Sequence, residues 1–307
     1  MTNFPNGVSS LGVPLMPNLP LTTGTFYFVH SGTGSDGNSG RDKAHPLATV
    51  DAALGKCASN KGDVVVLMQG HAETVTATNM VLDVAGVTIV GLGRGLQRPT
   101  FTYGAAAATI TVSAANVRWS NCHHIANFLS VAAAFTIGAA KDFQVDHCSF
   151  VDNSNVLDFL SVVVTGATDN DADGLRVEDN YQLSLPATDG ATVSILAAEI
   201  RVRIERNHVD KAATNNAGHL ITLAAKIVLS FRVLDNLLVC LATSQAVGIL
   251  LTGSGTTSTG IVARNLVMSQ DTTTALLATA GTGLYYLENY QTGAKDKQGT
   301  IFPAVYS

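Results

Sequence analysis

Read for its apolar and polar positions, the chain repeats one six-residue pattern: apolar, any residue, apolar, two polar, then Asn or Cys. The pattern opens at Val117, Phe143, Leu175, Val202, Phe231, Gly260 and Leu284, and closes at Cys122, Cys148, Asn180, Asn207, Asn236, Asn265 and Asn289. The closing residues form one column whose steps are 26, 32, 27, 29, 29 and 24 residues, an average of about 28. A strand-like stretch in each unit, with no helical periodicity between units, is what a parallel β-solenoid requires. Alternation such as Val202 and Ile204 against Arg201, Arg203 and Glu205 sends apolar side chains into the coil and polar ones out. The column residue falls where the strand ends and the chain bends. An Asn there hydrogen-bonds the bent backbone and tolerates the left-handed region, and stacked amides bond one another along the axis. The column therefore reads as a structural ladder.

The ends of the chain differ from its middle. Residues 1–24 hold Pro5, Pro14, Pro17 and Pro20, four of the eight prolines, and no periodic pattern. Such a segment builds no core and reads as an extended arm that orders on a partner. Residues 25–30 (TFYFVH) read as a strand and 31–40 as a Gly, Ser and Asp loop. Leu47, Val50, Leu54 and Cys57, preceded by Pro46, fall at helical spacing, predicting a short amphipathic helix that caps the open end of the coil. Gly62 and Asp63 turn into the strand 64–68, and 86–93 give another. The division expected is an arm (1–24), a strand, loop and capping helix (25–62), a parallel β-helix (63–290) and a tail (291–307).

Composition adds an oligomer to this picture. The 307 residues are 46% hydrophobic and 13% charged, against a usual charged share of about 25%. A face rich in Ala, Thr, Val and Ser packs against copies of itself, most simply in a closed ring. A net charge of −5 with scattered basic residues argues against nucleic acid. The densest basic group, Arg201, Arg203 and Arg206, is expected to meet Glu199, Glu205 or a neighbouring subunit. No stretch has about 18 continuous apolar residues, so no membrane span is expected, and the first residues lack a secretory pattern, so synthesis in a cytoplasm is expected. The four cysteines, Cys57, Cys122, Cys148 and Cys240, make no disulfide framework. His123, His124 and His147 beside Cys122 and Cys148 form a nominal zinc set. The histidines flank the column at differing offsets, so free buried thiols and no metal are expected.

The runs FVH, GTGSDGNSG, PLATVDAALGKC, GDVVVLMQG and GVTIVGLGRG between residues 28 and 95 resemble the N-terminal region of right-handed parallel β-helix proteins of the pectate-lyase-like superfamily, especially versions from tailed bacteriophage virions. The opening residues 3–14 (NFPNGVSSLGVP) look like the start of phage structural proteins encoded near capsid genes. The resemblance implies an all-β right-handed parallel β-helix. The superfamily includes lyases, hydrolases, tailspikes, adhesins and capsid decoration proteins, so function must be argued from residues.

A glycosidase needs two carboxylates about 5 to 9.5 Å apart on an exposed face, and a lyase needs a Lys or Arg base near a calcium-bound uronate. Between residues 100 and 290 the lysines are Lys141, Lys211 and Lys226, none beside an acidic cluster in sequence. The single tryptophan, Trp119, points inward by alternation and offers no sugar platform. Asp169, Asn170, Asp171, Ala172, Asp173 and Gly174 match the opening of a calcium loop. The twelfth position is Asn180, not Glu, and 175–177 reads as a strand. An acidic turn is expected, with a partial calcium site as its alternative, and this cluster with Glu178 and Asp179 is the best glycosidase candidate. His71 and Glu73 read as a surface pair rather than a catalytic dyad. The Thr-rich loops 252–259 and 271–274 read as solvated, with a subunit contact as their alternative.

These readings converge on a non-enzymatic virion protein without cofactor: a homotrimeric β-helix on the capsid surface that decorates or cements the head. Phe4, Val8, Leu11, Val13, Leu15 and Leu19 of the arm would bury against the major capsid protein. The alternative is a tailspike or fibre that binds or cleaves a host glycan.

Overall fold

The computed structural model describes residues 22–185 apart from 79, then 190–211, 220–223, 226–240, 249–251, 258–269, 277–279, 283–292 and 300–302, together with 9–10 and 13–14. The chain is an all-β, right-handed parallel β-helix with three long sheets of 10, 10 and 8 strands. Sheet one runs from Phe26–Val29 to Leu284–Leu287, sheet two from Ala72–Val75 through Asn289–Thr292 to the edge strand Thr300–Phe302, and sheet three from Val81–Leu82 to Leu277–Thr279. From the second coil on, each coil contributes one strand to each sheet in that order, so residues about one repeat apart are hydrogen-bonded neighbours. Inside, one column of sheet one runs Val65, Ile89, Trp119, Val145, Val177 and Ile204 in register, all essentially inaccessible. Trp119 is in the core, where its indole N–H donates to His124 Nε2 at 3.1 Å.

The column residues join successive coils. Asn207 Oδ1 accepts from both the backbone N and the Nδ2 of Asn180, each at 3.1 Å. Its own Nδ2 donates to Val177 O at 2.8 Å and to Asn236 Oδ1 at 3.0 Å. The same pattern continues through Asn236 and Asn265 to Asn289. Toward the N-terminus it thins. Cys148 N donates to Asn180 Oδ1 at 3.0 Å and Cys122 N to Cys148 Sγ at 3.4 Å, while each thiol donates back to a carbonyl of its own strand.

One detail departs from the sequence reading. The left-handed residue is the one before the column: Asn121, His147, Asp179, Arg206, Asp235, Arg264 and Glu288 have φ of 58°, 55°, 56°, 56°, 57°, 54° and 50°. The bend has to come one residue earlier so that the column side chain itself can reach the coils on either side.

The N-terminal end also differs from expectation. Phe26–Val29 pairs in parallel with Val64–Leu67, so sheet one begins well before residue 63. The helix is only Val50–Leu54, because Thr49 caps its start through Ala52 N and Leu47 instead bridges Val29 in extended form. This short helix, α1, packs on the first two strands of sheet one with Val50, Ala53 and Leu54 buried. His71 and Glu73, expected on the surface, tie the cap to the coil. His71 is 1% exposed, takes Ser31 N–H on Nδ1 at 3.1 Å and faces Glu73 Oε2 through Nε2 at 3.3 Å, while that same oxygen accepts from Val50 N at the start of α1. At the other end, Thr300–Phe302 pairs antiparallel with Asn289–Thr292.

Of the arm, Phe4, Val8, Leu11, Leu15 and Leu19 lie outside the described residues, and Val13 belongs to a short antiparallel pair, Ser9–Ser10 with Val13–Pro14. Residues 252–257 and 271–274 of the Thr-rich loops also lie outside them.

Candidate functional site on the outer face of sheet one

Three-residue strands with an inward central residue leave two outward columns on sheet one. One runs Arg118, Gln144, Arg176, Arg203 and Arg232, the other Ser120, Asp146, Glu178 and Glu205. Acids and bases thus stand side by side at coil pitch, about 4.8 Å between rungs. At its N-terminal part this face forms an open cleft of about 740 Å³, lined by Gln69, Leu92, Arg94, Gln97, Arg118 and His147 among others. The wall opposite is fixed by Gln69 Nε2 donating to Gln97 Oε1 at 2.8 Å and by Asn121 Nδ2 donating to Gly91 O at 2.7 Å.

Asp146 is the centre of the cleft's chemistry. It is 1% exposed and accepts from Arg118 Nε at 2.7 Å, Arg118 Nη2 at 2.9 Å and Ser120 Oγ at 2.6 Å. His147 Nδ1 lies 2.8 Å from the same carboxylate. Burial on its own would raise this carboxyl, but the hydrogen bonds from Arg118, Ser120 and His147 outweigh it and hold the group below the usual range. A carboxylate orienting an exposed imidazole is the geometry of a general base. Here, however, the carboxylate is already engaged by the bidentate Arg118 and by Ser120.

Farther along, Glu178 and Glu205 occupy adjacent rungs in register, two neighbouring carboxylates of the kind a glycosidase uses. Glu178 is pushed up by burial and by the Glu205 charge, against the pull of Arg206, Arg176 and Arg203, the sense a general acid needs. Glu205 decides against the pair. It is 7% exposed, and its two oxygens lie 3.0 Å from Arg232 Nε and 3.0 Å from Arg206 Nη1, which leaves no oxygen presented to a sugar. Arg206 in turn clamps Asp179 through Nε at 2.8 Å and Nη2 at 2.9 Å, and Arg264 clamps Asp235 at 2.7 Å twice. The left-handed column therefore alternates in sign, Asp179, Arg206, Asp235, Arg264, Glu288.

Set against known proteins, the chain matches no protein-family model and no curated protein sequence. Among solved structures it is similar to a rhamnogalacturonan lyase, with a TM-score of 0.38 and 16% identity over 91% of this chain. The chain spans 65% of that protein's length. A likeness of this degree carries no argument about chemistry.

The remaining sequence candidates fall elsewhere. Asp169 and Asp173 are spent on the next coil: Asp169 Oδ1 accepts from Ala198 N at 2.9 Å and Asp173 Oδ1 from Ile200 N at 2.8 Å. They stand at the opposite end of the strand Arg176–Glu178 from Asp179, so they make no carboxylate pair with it. Among the described residues no group of three metal-ligating side chains converges. Lys141 and Lys226, neither beside an acidic cluster in sequence, lie 3.5 Å from Asp173 and 3.9 Å from Asp169, because coil stacking brings them there. Arg201 reaches Asp142 at 3.7 Å, and Arg206 reaches Glu205 as expected from sequence. Glu199 is not an arginine partner. It is 1% exposed, accepts from Ala172 N at 3.1 Å, and is pushed up to about 7 by burial and, beyond the opposing Ala172 hydrogen bond, by the charges of Asp173, Asp171 and Asp169.

The nominal zinc set is dispersed by alternation. All four cysteines are free thiols, Cys122, Cys148 and Cys240 buried. His123 faces outward toward Ser149 Oγ at 2.6 Å and His147 stands in the cleft. His124 points into the core between Phe101 and Phe150, at ring separations of 5.6 and 4.8 Å, and burial holds it well below the ordinary histidine range.

Proposed function

We propose that this chain is a non-enzymatic structural protein of a bacteriophage virion, a capsid decoration protein that holds the head as a homotrimer and reaches the major capsid protein through the arm at residues 1–24. The observation that carries the non-enzymatic part is the pairing of Glu205 with Arg206 and Arg232. Together with the Arg118–Asp146 clamp, it turns the acids and bases of this face into internal cross-bracing between coils. The virion part rests on the resemblance of the opening residues to phage structural proteins and on the apolar spacing of Phe4, Val8, Leu11, Val13, Leu15 and Leu19. Trivalent attachment would multiply a weak arm contact. Quantitative mass spectrometry of purified particles tests this reading: many copies per head, lost when residues 1–24 are deleted, support it, and absence from the particle or undiminished binding without the arm contradicts it.

A second reading, a tailspike or fibre acting on host polysaccharide, is favoured by the cleft, where His147 and Arg118 stand together. Incubation with host capsule or lipopolysaccharide that releases sugar, with release abolished by His147→Ala, would select it.

A further inference from the structure

We propose that the outer face of sheet two is where copies of this chain meet, side by side, parallel and in register, as a cyclic trimer. The face carries one continuous outward column, Ile125, Val151, Leu183, Asp210, Val239 and Met268, each paired with the next along the sheet. Five of the six are aliphatic or thioether side chains, all at least partly accessible in the single chain. The apolar surface continues around the edge of the sheet in Phe128, Leu129 and Val156, which are 42%, 60% and 54% exposed. Parallel sheets are ordinarily covered on both faces, and an apolar patch of this length on a chain with so few charges calls for an occupant.

The polar rung identifies the occupant. Asp210 interrupts the column, held by Tyr181 Oη at 3.2 Å and His208 Nε2 at 3.0 Å. Against a lipid surface or an apolar peptide this rung would lose water without gaining a partner. Against a second copy in parallel register it comes level with that copy's His208, an imidazole that can share the carboxylate. The His208 of one copy then faces the Asp210 of the next, and every apolar rung meets an identical rung at the same pitch. An antiparallel pair centred on Asp210 would leave Ile125 beyond the last apolar rung, Met268, so only the parallel arrangement matches the whole column. Its neighbour on the same face is polar over the first rungs, His123, Ser149, Tyr181 and His208, and apolar beyond them, Leu237, Leu266 and Tyr290, so the apolar stripe widens toward the C-terminal coils. Three copies side by side would bury that stripe around the axis of the homotrimer proposed above.

The inference is independent of the virion reading, since it concerns the purified full chain without capsid. Analytical ultracentrifugation of that chain is expected to give a trimer. The double variant Val151→Glu, Val239→Glu is expected to sediment as a monomer, with association weakened by about a thousandfold or more and the far-UV circular dichroism unchanged. Val151→Cys and Val239→Cys are each expected to cross-link to their own equivalents under mild oxidation, with the parent chain as control. A monomeric parent chain, a double variant that stays trimeric, or cross-linking seen only between Val151→Cys and Met268→Cys chains would overturn the proposal. If the double variant unfolds, the two cysteine variants decide the matter alone.

Discussion

The outer faces of sheets one and two are built on the same backbone at the same pitch and carry opposite chemistries. On sheet one, arginines stack beside carboxylates and clamp them across coils: Arg118 on Asp146, Arg232 on Glu205, Arg206 on Asp179. On sheet two, one outward column stacks apolar side chains with a single polar interruption, Asp210. The difference follows from what parallel stacking does. Every residue stands about 4.8 Å from its counterpart in the next coil, so a column of like charges repels itself and survives only with opposite charges interleaved. An aliphatic column has no such conflict, but it leaves apolar surface that another molecule must cover. The first face is satisfied within the chain; the second stays open in the single chain and is the one proposed to meet another copy.

Both faces hang on the turn between them, so the largest effect is expected there. Asn207→Ala removes the acceptor for Asn180 N and Nδ2 and the donor to Val177 O, all buried. It is expected to cost about 3 kcal/mol or more in urea unfolding. If the loss is within error, the ladder does not hold the two faces together. Asp146→Ala strips Arg118, Ser120 and His147 of a shared acceptor. With Arg118 partly solvated, about 2 kcal/mol of destabilisation is expected, whereas Val239→Glu on the other face should leave monomer stability nearly unchanged and act on association.

Glu199 gives a smaller effect with a distinct sign. Its carboxyl holds its proton more tightly folded than unfolded, so the stabilisation is fully present below the ordinary value of 4.5 and is lost as pH rises through about 7. Comparison of the parent chain with Glu199→Gln should show a relative gain for the variant, on the order of 2 kcal/mol, between pH 4.5 and pH 8. Equal pH dependence in the two would contradict the buried-acid assignment. The smallest change is expected for Arg264→Ala. Its exposed clamp on Asp235 should shift the melting midpoint less than Asp146→Ala does, and the shift should vanish at high salt.

Much of this was written in the sequence at fixed offsets from the column. The aliphatic stripe lies three residues after it: Cys122 gives Ile125, Cys148 gives Val151, and so on to Asn265 and Met268. The alternating charges lie one residue before it. Extending the register backward puts His71 in the column too, since Ala72, Thr100 and His123 are paired, which accounts for its burial where a surface site was expected. Lys141 and Asp173 likewise share an offset of seven residues before Cys148 and Asn180, but no offset reveals the partnership of Lys226 with Asp169. These residues sit in connections of unequal length, and only the closed coil sets them together. The cleft was legible only in part: Asn121 and His147 sit one residue before the column, but Gly93 and Arg94 come from a connection outside the repeat.

The account turns on one face being covered and the other open, and hydroxyl-radical footprinting of the full chain in solution reads this directly. Met268 and Leu183 on sheet two are expected to be protected relative to the Val151→Glu, Val239→Glu variant, while His147 in the cleft and Leu96, which is 98% exposed, react equally in both. Equal labelling of Met268 and Leu183 in the two proteins would contradict it.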